Sequence, residues 1–499
     1  MLLTLRRDVS LAVLAQARSE ADHHEDLGCS ILGPASRPVR RAHLALKRQV
    51  HALGAEASLR LAPKLVRWLE DTPAYRALAR GKQRRGGRLI LRDEVLTFDT
   101  ERHRPRVLHL RREALGLDVP VRAADWPLYS LFFTALARGA TKTELRGLLP
   151  ELLETLLGAK WLERFEAPIK APTPGVIFIG HNTTLVSSKT TRVLVDPYFR
   201  PASMLDLPSY QPMQPRDVGP VDAVVITHSH GDHFHLGSLL QLSRDTHIFV
   251  PPVERETLFS TDCVRRLEQL GFTRVEALPW YESRKVGDLE VHALPFYGEQ
   301  PTSGEGVYPG LFNIGSTWAI RGPGVSCAFF ADAGADARGS MRTVCKKVSP
   351  VELLFCGVRG FRVKPIFFSF TTLDAYLVNV PMADVTTPQQ LMADAAEALE
   401  YGRLLKARRV VPCADGGAPW YWREGMGPRY AGYPGVPVEG ASTHDENDDA
   451  DPFPEVLSVL APKRALLLRP GDSWNGAVSR VAPFEWPGWV APTSGPAKR

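Results

Sequence analysis

In the stretch VVITHSHGDHFH, residues 224–235, His228, His230, Asp232, His233 and His235 crowd together directly after an apolar run. The preceding residues, VDAVVIT, read as a buried strand that delivers Thr227 to a sheet edge. His228 and His230 are two residues apart, so in extended chain their side chains project to the same side. Gly231 lets the backbone turn before Asp232 and His233. The first pair is therefore expected to hold one metal ion and the second pair another beside it. Imidazole suits zinc, iron, nickel and copper, and carboxylate adds affinity for harder ions. His235 falls outside this spacing and is expected to begin the next helix.

The elements that must position these residues follow a Pro-rich linker, APIKAPTPG, residues 167–175. Beyond it, short apolar runs bounded by turn residues recur: VIFIG, TLVSS, RVLVDP, HIFVPP, EVHALP, STWAIRG, VSCAFFADAG, ELLFCG, RRVVPC and RALLLRPGD. Helical patterns are expected at 235–243, 253–271 and 387–406. Many strands with helices between them predict a large α/β domain.

With these residues in view, THSHGDHF resembles the signature of the metallo-β-lactamase fold, an αββα sandwich with a one- or two-metal site at one sheet edge. The likeness spans about residues 172–475. FIGHNTTLV and VLVDPYF resemble the first strands of the branch containing L-ascorbate-6-phosphate lactonases and N-acyl-phosphatidylethanolamine phospholipase D. CAFFADAG resembles the strand carrying the bridging aspartate of that superfamily. The stretch TPQQLMADAAEALEYGRLLKARRVVP resembles the helix and strand that lead to its last ligand. The resemblance implies that His228 and His230 bind one metal, Asp232 and His233 the second, and Asp332 bridges both. It places Asp196 behind the ligands, holding the histidine loop through hydrogen bonds, with His181 structural or likewise behind them.

Two expected histidines are missing. The superfamily's third ligand to the first metal falls where this chain reads HALPFYGEQPTSGEG, and Glu299 is the nearest group able to coordinate, ahead of His292. The usual last histidine falls where the chain reads VVPCADGGAPWYW, with Asp415 the best substitute and Cys413 the next. A shell of three imidazoles with Asp232, Glu299, Asp332 and Asp415 favours iron or manganese more than histidine-rich zinc sites do. A glutamate ligand and an extra N-terminal domain also make the architecture similar to the metallo-β-lactamase-fold di-iron β-hydroxylase of chloramphenicol biosynthesis.

The first expectation is a dinuclear metal-dependent hydrolase. A hydroxide generated between two cations attacks an ester, lactone or phosphodiester, with Asp232 and Asp332 as catalytic residues. The alternative is a di-iron oxygenase that hydroxylates a substrate, with an acidic carrier protein as the expected partner. Such an oxygenase needs an electron donor; the chain has no four-cysteine cluster pattern and no dinucleotide fingerprint. Tyr297, Arg359 and Trp420, on loops that depart from family norms, are the candidate substrate-binding residues. Their aromatic neighbours suggest a small-molecule or lipid-like substrate.

The rest of the chain bounds these readings. It has 499 residues, 44% of them hydrophobic, and no apolar run of the length of a membrane span. Its six cysteines form no C-x-x-C pair, which fits a reducing cytosol, and the first residues lack a cleavage site and read as mature chain. Residues 1–170 carry 30 Lys and Arg against 20 Asp and Glu, an excess of ten positive charges. Residues 1–168 are expected to form a mostly helical accessory domain, residues 172–485 the catalytic domain and residues 486–499 a tail. Within the first, residues 126–168 read as three short helices and a small hairpin, a winged-helix-like module. Its last helix, PELLETLLGAK, is acidic and leucine-rich, so it is expected to pack against protein, and nucleic acid is an unlikely partner.

Overall fold

The computed structural model describes residues 1–14, 104–112, 115–166, 172–199, 213–253, 261–297, 315–334, 340–358, 392–414, 461–468 and 470–481. It also describes the short pieces 63–64, 67, 71, 82–85, 88–91, 168, 170, 360, 362–363 and 389–390. Glu299, Arg359, Asp415, Trp420 and the tail lie outside the described residues.

In the N-terminal part, strands β1 (Leu2–Leu5), β2 (Ser10–Leu14), β3 (Val107–Arg112) and β4 (Leu115–Pro120) precede helix α1 (Trp126–Arg138). Strand β5 (Ala140–Thr141), helices α2 (Lys142–Leu148) and α3 (Pro150–Gly158) and strand β6 (Leu162–Arg164) follow. The three helices fall where residue patterning puts them. Gly139 follows α1, the Thr141 side chain caps α2 by accepting from Glu144 N–H, and Pro150 starts α3. Leu152, Leu153 and Leu156 of α3 are buried, as its leucine-rich face requires. The expected hairpin is corrected. Strand β6 pairs antiparallel with β1, and β1 pairs with β5 on its other side, so residues 2–5 form the middle of a three-stranded sheet. A partner some 160 positions away leaves no local signal, which is also why the region holds more strands than its helical patterning suggests.

The remainder is a sandwich. Strands β7 (Gly175–Gly180), β8 (Thr183–Ser187), β9 (Arg192–Val195), β10 (Ala223–Val225), β11 (His247–Val250) and β12 (Val275–Ala277) form one sheet. Two later strands, β19 (Asp472–Trp474) and β20 (Val478–Arg480), join it, in the order β12-β11-β10-β9-β8-β7-β19-β20. The second sheet runs β13 (Ser283–Val286), β14 (Leu289–Pro295), β15 (Ser316–Gly322), β16 (Val325–Ala331), β17 (Leu353–Cys356) and β18 (Arg409–Pro412) in chain order. Strands β9 to β12 are parallel, as are β16 to β18.

Alternation along the strands builds the layers. Val176, Phe178, Val193, Val195 and Val225 meet Val291, Trp318, Phe329 and Phe355 in the core between the sheets. There the rings of Phe329 and Phe355 stack at 4.6 Å. On the far face of the second sheet, Phe330, Leu354 and Val410 pack under helices α4 (Ser340–Val348) and α5 (Ala395–Leu404). A capping box of Asp394 and Glu397 starts α5. On the far face of the first sheet, Ile177, Ile179, Leu194, Val224 and Ile248 share one core with Trp126, Phe132, Phe133, Leu153 and Leu156 of the N-terminal part. That junction also carries a bidentate Arg7–Asp217 ion pair and a hydrogen bond from the Thr134 hydroxyl to Leu242 O (2.7 Å).

Gly237, in the short helix Leu236–Leu239 behind the histidine loop, lies against β2. A Cβ there would meet Leu11 O at 1.8 Å. Gly237→Ala should therefore lower the unfolding free energy by about 1–3 kcal/mol, the usual cost of overpacking. Denaturant unfolding checks this; an unchanged midpoint would mean that the two elements do not meet there.

Candidate metal centre

Strands β9 and β10 run parallel and end side by side, the crevice in which α/β sheets commonly build their sites. Asp196 follows β9 and Thr227 follows β10, and both are fully buried. Asp196 Oδ1 accepts from Thr227 N–H (2.7 Å). Its Oδ2 accepts from the Thr227 hydroxyl (2.6 Å), the Asn182 amide (2.6 Å) and His233 Nδ1 (2.7 Å).

These bonds fix two tautomers. A carboxylate only accepts, so His233 Nδ1 carries a proton and its Nε2 presents a lone pair. The Thr227 hydroxyl donates its hydrogen bond to Asp196, so its oxygen accepts from His228 Nδ1 (3.0 Å), and His228 Nε2 also presents a lone pair. Both Nε2 atoms approach Asp332 Oδ2, His233 at 3.2 Å and His228 at 3.6 Å. On the other side, His181 Nε2 is 3.1 Å from His233 Nε2 and 3.2 Å from Asp232 Oδ2. Two groups of candidate ligand atoms result, His228 with His233 and Asp332, and His181 with Asp232 and His233.

The fit to metal ions can be tested on these distances. Ligand bonds of about 2.0–2.1 Å put neighbouring ligand atoms roughly 2.9–3.4 Å apart in octahedral to tetrahedral shells. The observed 3.1–3.2 Å separations match those edges, and the 3.6 Å one is slightly long. Asp332 Oδ1 is buried without a hydrogen-bond partner among the described residues, which fits a carboxylate kept for a cation. Charge agrees. Burial works against ionised Asp232, yet His233, His181 and His230 hold its carboxyl well below the ordinary range. Burial likewise works against protonated His233, yet Asp332 and Asp232 push its imidazole well above its usual value. A proton taken up there sits where a metal would compete for the lone pair.

Other contacts hold the loop. His228 pairs with Gly315 in an antiparallel bridge, Ser316 N–H donates to Thr227 O (2.7 Å) and Trp318 Nε1 donates to Ile226 O (2.9 Å). A Cβ on Gly315 would meet the Phe296 ring and Thr227 O within 3.0 Å, so only glycine allows this approach. His235 caps the next helix, its Nδ1 accepting from Ser238 N–H (3.1 Å), as its place in the sequence implies. His230 lies 4.7 Å from the His228 ring. Tyr297 O accepts from Gly334 N–H beside Asp332, and its ring meets Trp280 at 5.5 Å. Cys413 is wholly buried in the inter-sheet core and His292 pairs with Glu290 on its own strand.

Four of the non-glycine residues with positive φ surround the centre: His181 (56°), Asp196 (39°), Ala331 (48°) and Ala414 (67°). Backbone held in this region commonly marks functional sites. Sequence reading missed Asn182, Gly315, Trp318 and the Thr227 hydroxyl. The signal for Asn182 was its place in GHNTT, next to His181.

Residues 191–413 match the model of the beta-lactamase superfamily domain. A Streptomyces venezuelae protein, 4-amino-L-phenylalanyl-[CmlP-peptidyl-carrier-protein] 3-hydroxylase, is 29% identical over 255 residues, 47% of this chain and 46% of that protein. A UPF0173 protein of Pyrococcus furiosus is 27% identical over 129 residues, 26% of this chain and 50% of the relative. The matched stretches thus span about half the length of these curated relatives. The crystal structure of CmlA, a diiron beta-hydroxylase from Streptomyces venezuelae, superposes on 96% of this chain and 99% of its own with a TM-score of 0.57 at 19% identity. Residues 191–413 are thus similar to the beta-lactamase superfamily domain, and the chain's two sheets with their outer layers have the metallo-β-lactamase fold.

Proposed function

We propose that the chain is a dinuclear metal oxygenase that hydroxylates a substrate presented on an acidic carrier protein. The observation that carries this reading is the donor set. Between His292 and His444 the sequence has no histidine, so carboxylates are the hard donors left for the two places where the fold expects imidazoles. His228, His230 and Asp332, with Glu299, would hold one ion; Asp232, His233 and Asp332, with Asp415, the other. Such oxygen-rich shells favour iron over zinc. With two reduced irons bound, these residues would hold a centre able to activate dioxygen, given two electrons from an external donor.

The chain's own residues set the conditions for that chemistry. Asp196 and Thr227 keep the Nε2 lone pairs of His228 and His233 facing Asp332. Apolar neighbours, including Phe296 at 5.2 Å from the His228 ring, limit water on that side. The ten-charge excess of residues 1–170 suits an acidic carrier. The S. venezuelae relative, named for a carrier-bound aminoacyl substrate, supports an aminoacyl thioester as the class to try first.

A second reading, hydrolysis of an ester, lactone or phosphodiester, is favoured by the H-x-H-x-D-H spacing and the superfamily match. Metal analysis of protein purified without chelators separates the two. Two irons per chain, with dioxygen-dependent gain of one oxygen atom by a carrier-bound aminoacyl thioester, is the expected result. Two zincs with turnover of esters, lactones or phosphodiesters would overturn it in favour of hydrolysis.

A further inference from the structure

We infer that His181, in the turn between β7 and β8, is itself a metal ligand, an imidazole added to the carboxylates of the ion that Asp232 and His233 would hold. The inference rests on the dinuclear reading above and deepens it. Strand β18 ends at Pro412, and the fold's final ligand should follow there, but the chain continues Cys413, Ala414, Asp415. Ala414 N–H donates to His181 O (3.0 Å), so the turn carrying His181 lies directly against the place of the missing residue.

Its geometry is that of a ligand. Nε2 lies 3.1 Å from His233 Nε2 and 3.2 Å from Asp232 Oδ2, and these three atoms belong to one group able to surround a cation. Because His233 Nδ1–H is committed to Asp196, two ring nitrogens face each other at 3.1 Å with a carboxylate oxygen beside them. The side chain is 2% exposed and its backbone has φ 56°, a conformation uncommon among non-glycine residues that histidine adopts more readily than most. The simpler role, a neutral imidazole hydrogen-bonded to Asp232, would use the same distances, so the test must read the metal.

His181→Asn keeps a residue tolerant of positive φ and removes the imidazole. In the full-length chain loaded with cobalt(II), the wild type should bind two ions. The variant should retain one and bind the second at least about tenfold more weakly, by chelator competition, with a changed visible spectrum for that ion. Two ions bound with unchanged affinity and spectrum would overturn the assignment while leaving the dinuclear reading intact. A wild type that binds no ion would overturn both. Should the variant not fold, proton NMR of the cobalt(II) wild type decides. His181, His228, His230 and His233 predict four exchangeable, hyperfine-shifted imidazole N–H signals, and three would exclude His181.

Discussion

Asp332→Ala should strip the protein of most of its metal and lower turnover by at least about a thousandfold, roughly 4 kcal/mol in the barrier. Asp332 follows β16 and is 6% exposed, and its Oδ2 is the atom that the Nε2 atoms of both His228 and His233 approach. No other described carboxylate approaches both rings so closely, so its loss should weaken the binding of both proposed ions. The turn that presents it is braced independently. Gly357 N–H donates to Ala331 O (2.8 Å), and the Tyr401 hydroxyl donates to Gly334 O (2.8 Å). The backbone should therefore survive the substitution. Asp332→Asn is the sharper variant because it keeps the shape and removes the charge. In metal-free protein it should leave thermal stability unchanged or raise it, since a buried carboxylate with an orphaned Oδ1 is a cost without a cation. Elemental analysis and a melting curve check both parts. Metal content equal to the wild type's would show that Asp332 does not bridge the ions.

The divide between what the sequence discloses and what it hides follows from the range of the interactions. The H-x-H-x-D-H spacing and the strand before it are local, so the loop, its strand-end position and the capping role of His235 can be read from residue order. The alternation that sends Val176 and Phe178 inward and Ile177 and Ile179 outward is local as well, and it predicts the layers. Pairing between β1 and β6 is not local, nor is the close packing of Gly237 on β2, so neither has a signature within its own segment. His181 is the instructive intermediate case. GHNTT marks a tight turn, and a histidine in a turn is most simply structural. Only the assembled fold brings the turn after β7 to the end of β10, and with it His181 Nε2 to Asp232 and His233.

Asp196 should matter nearly as much as the candidate ligands although it lies behind them. Its carboxylate takes four donors at 2.6–2.7 Å with no exposure, so Asp196→Ala leaves three groups and a backbone N–H short of partners inside the fold. Breaking such a buried charged network commonly costs about 3–5 kcal/mol. Asp196→Asn is more informative. The amide oxygen can still take Thr227 N–H, but the amide nitrogen then faces the Thr227 hydroxyl, the Asn182 amide and His233 Nδ1, all of them donors. His233 can relieve the clash by moving its proton to Nε2, which turns a lone pair facing the centre into an N–H. Metal affinity should then fall about 10–100-fold, the usual effect of losing the partner that orients a ligating histidine. A merely structural role predicts loss of stability with metal affinity kept, and chelator competition beside denaturant unfolding separates the two outcomes. Asparagine at position 196 with full metal affinity would mean that the bond from His233 Nδ1 does not set the tautomer.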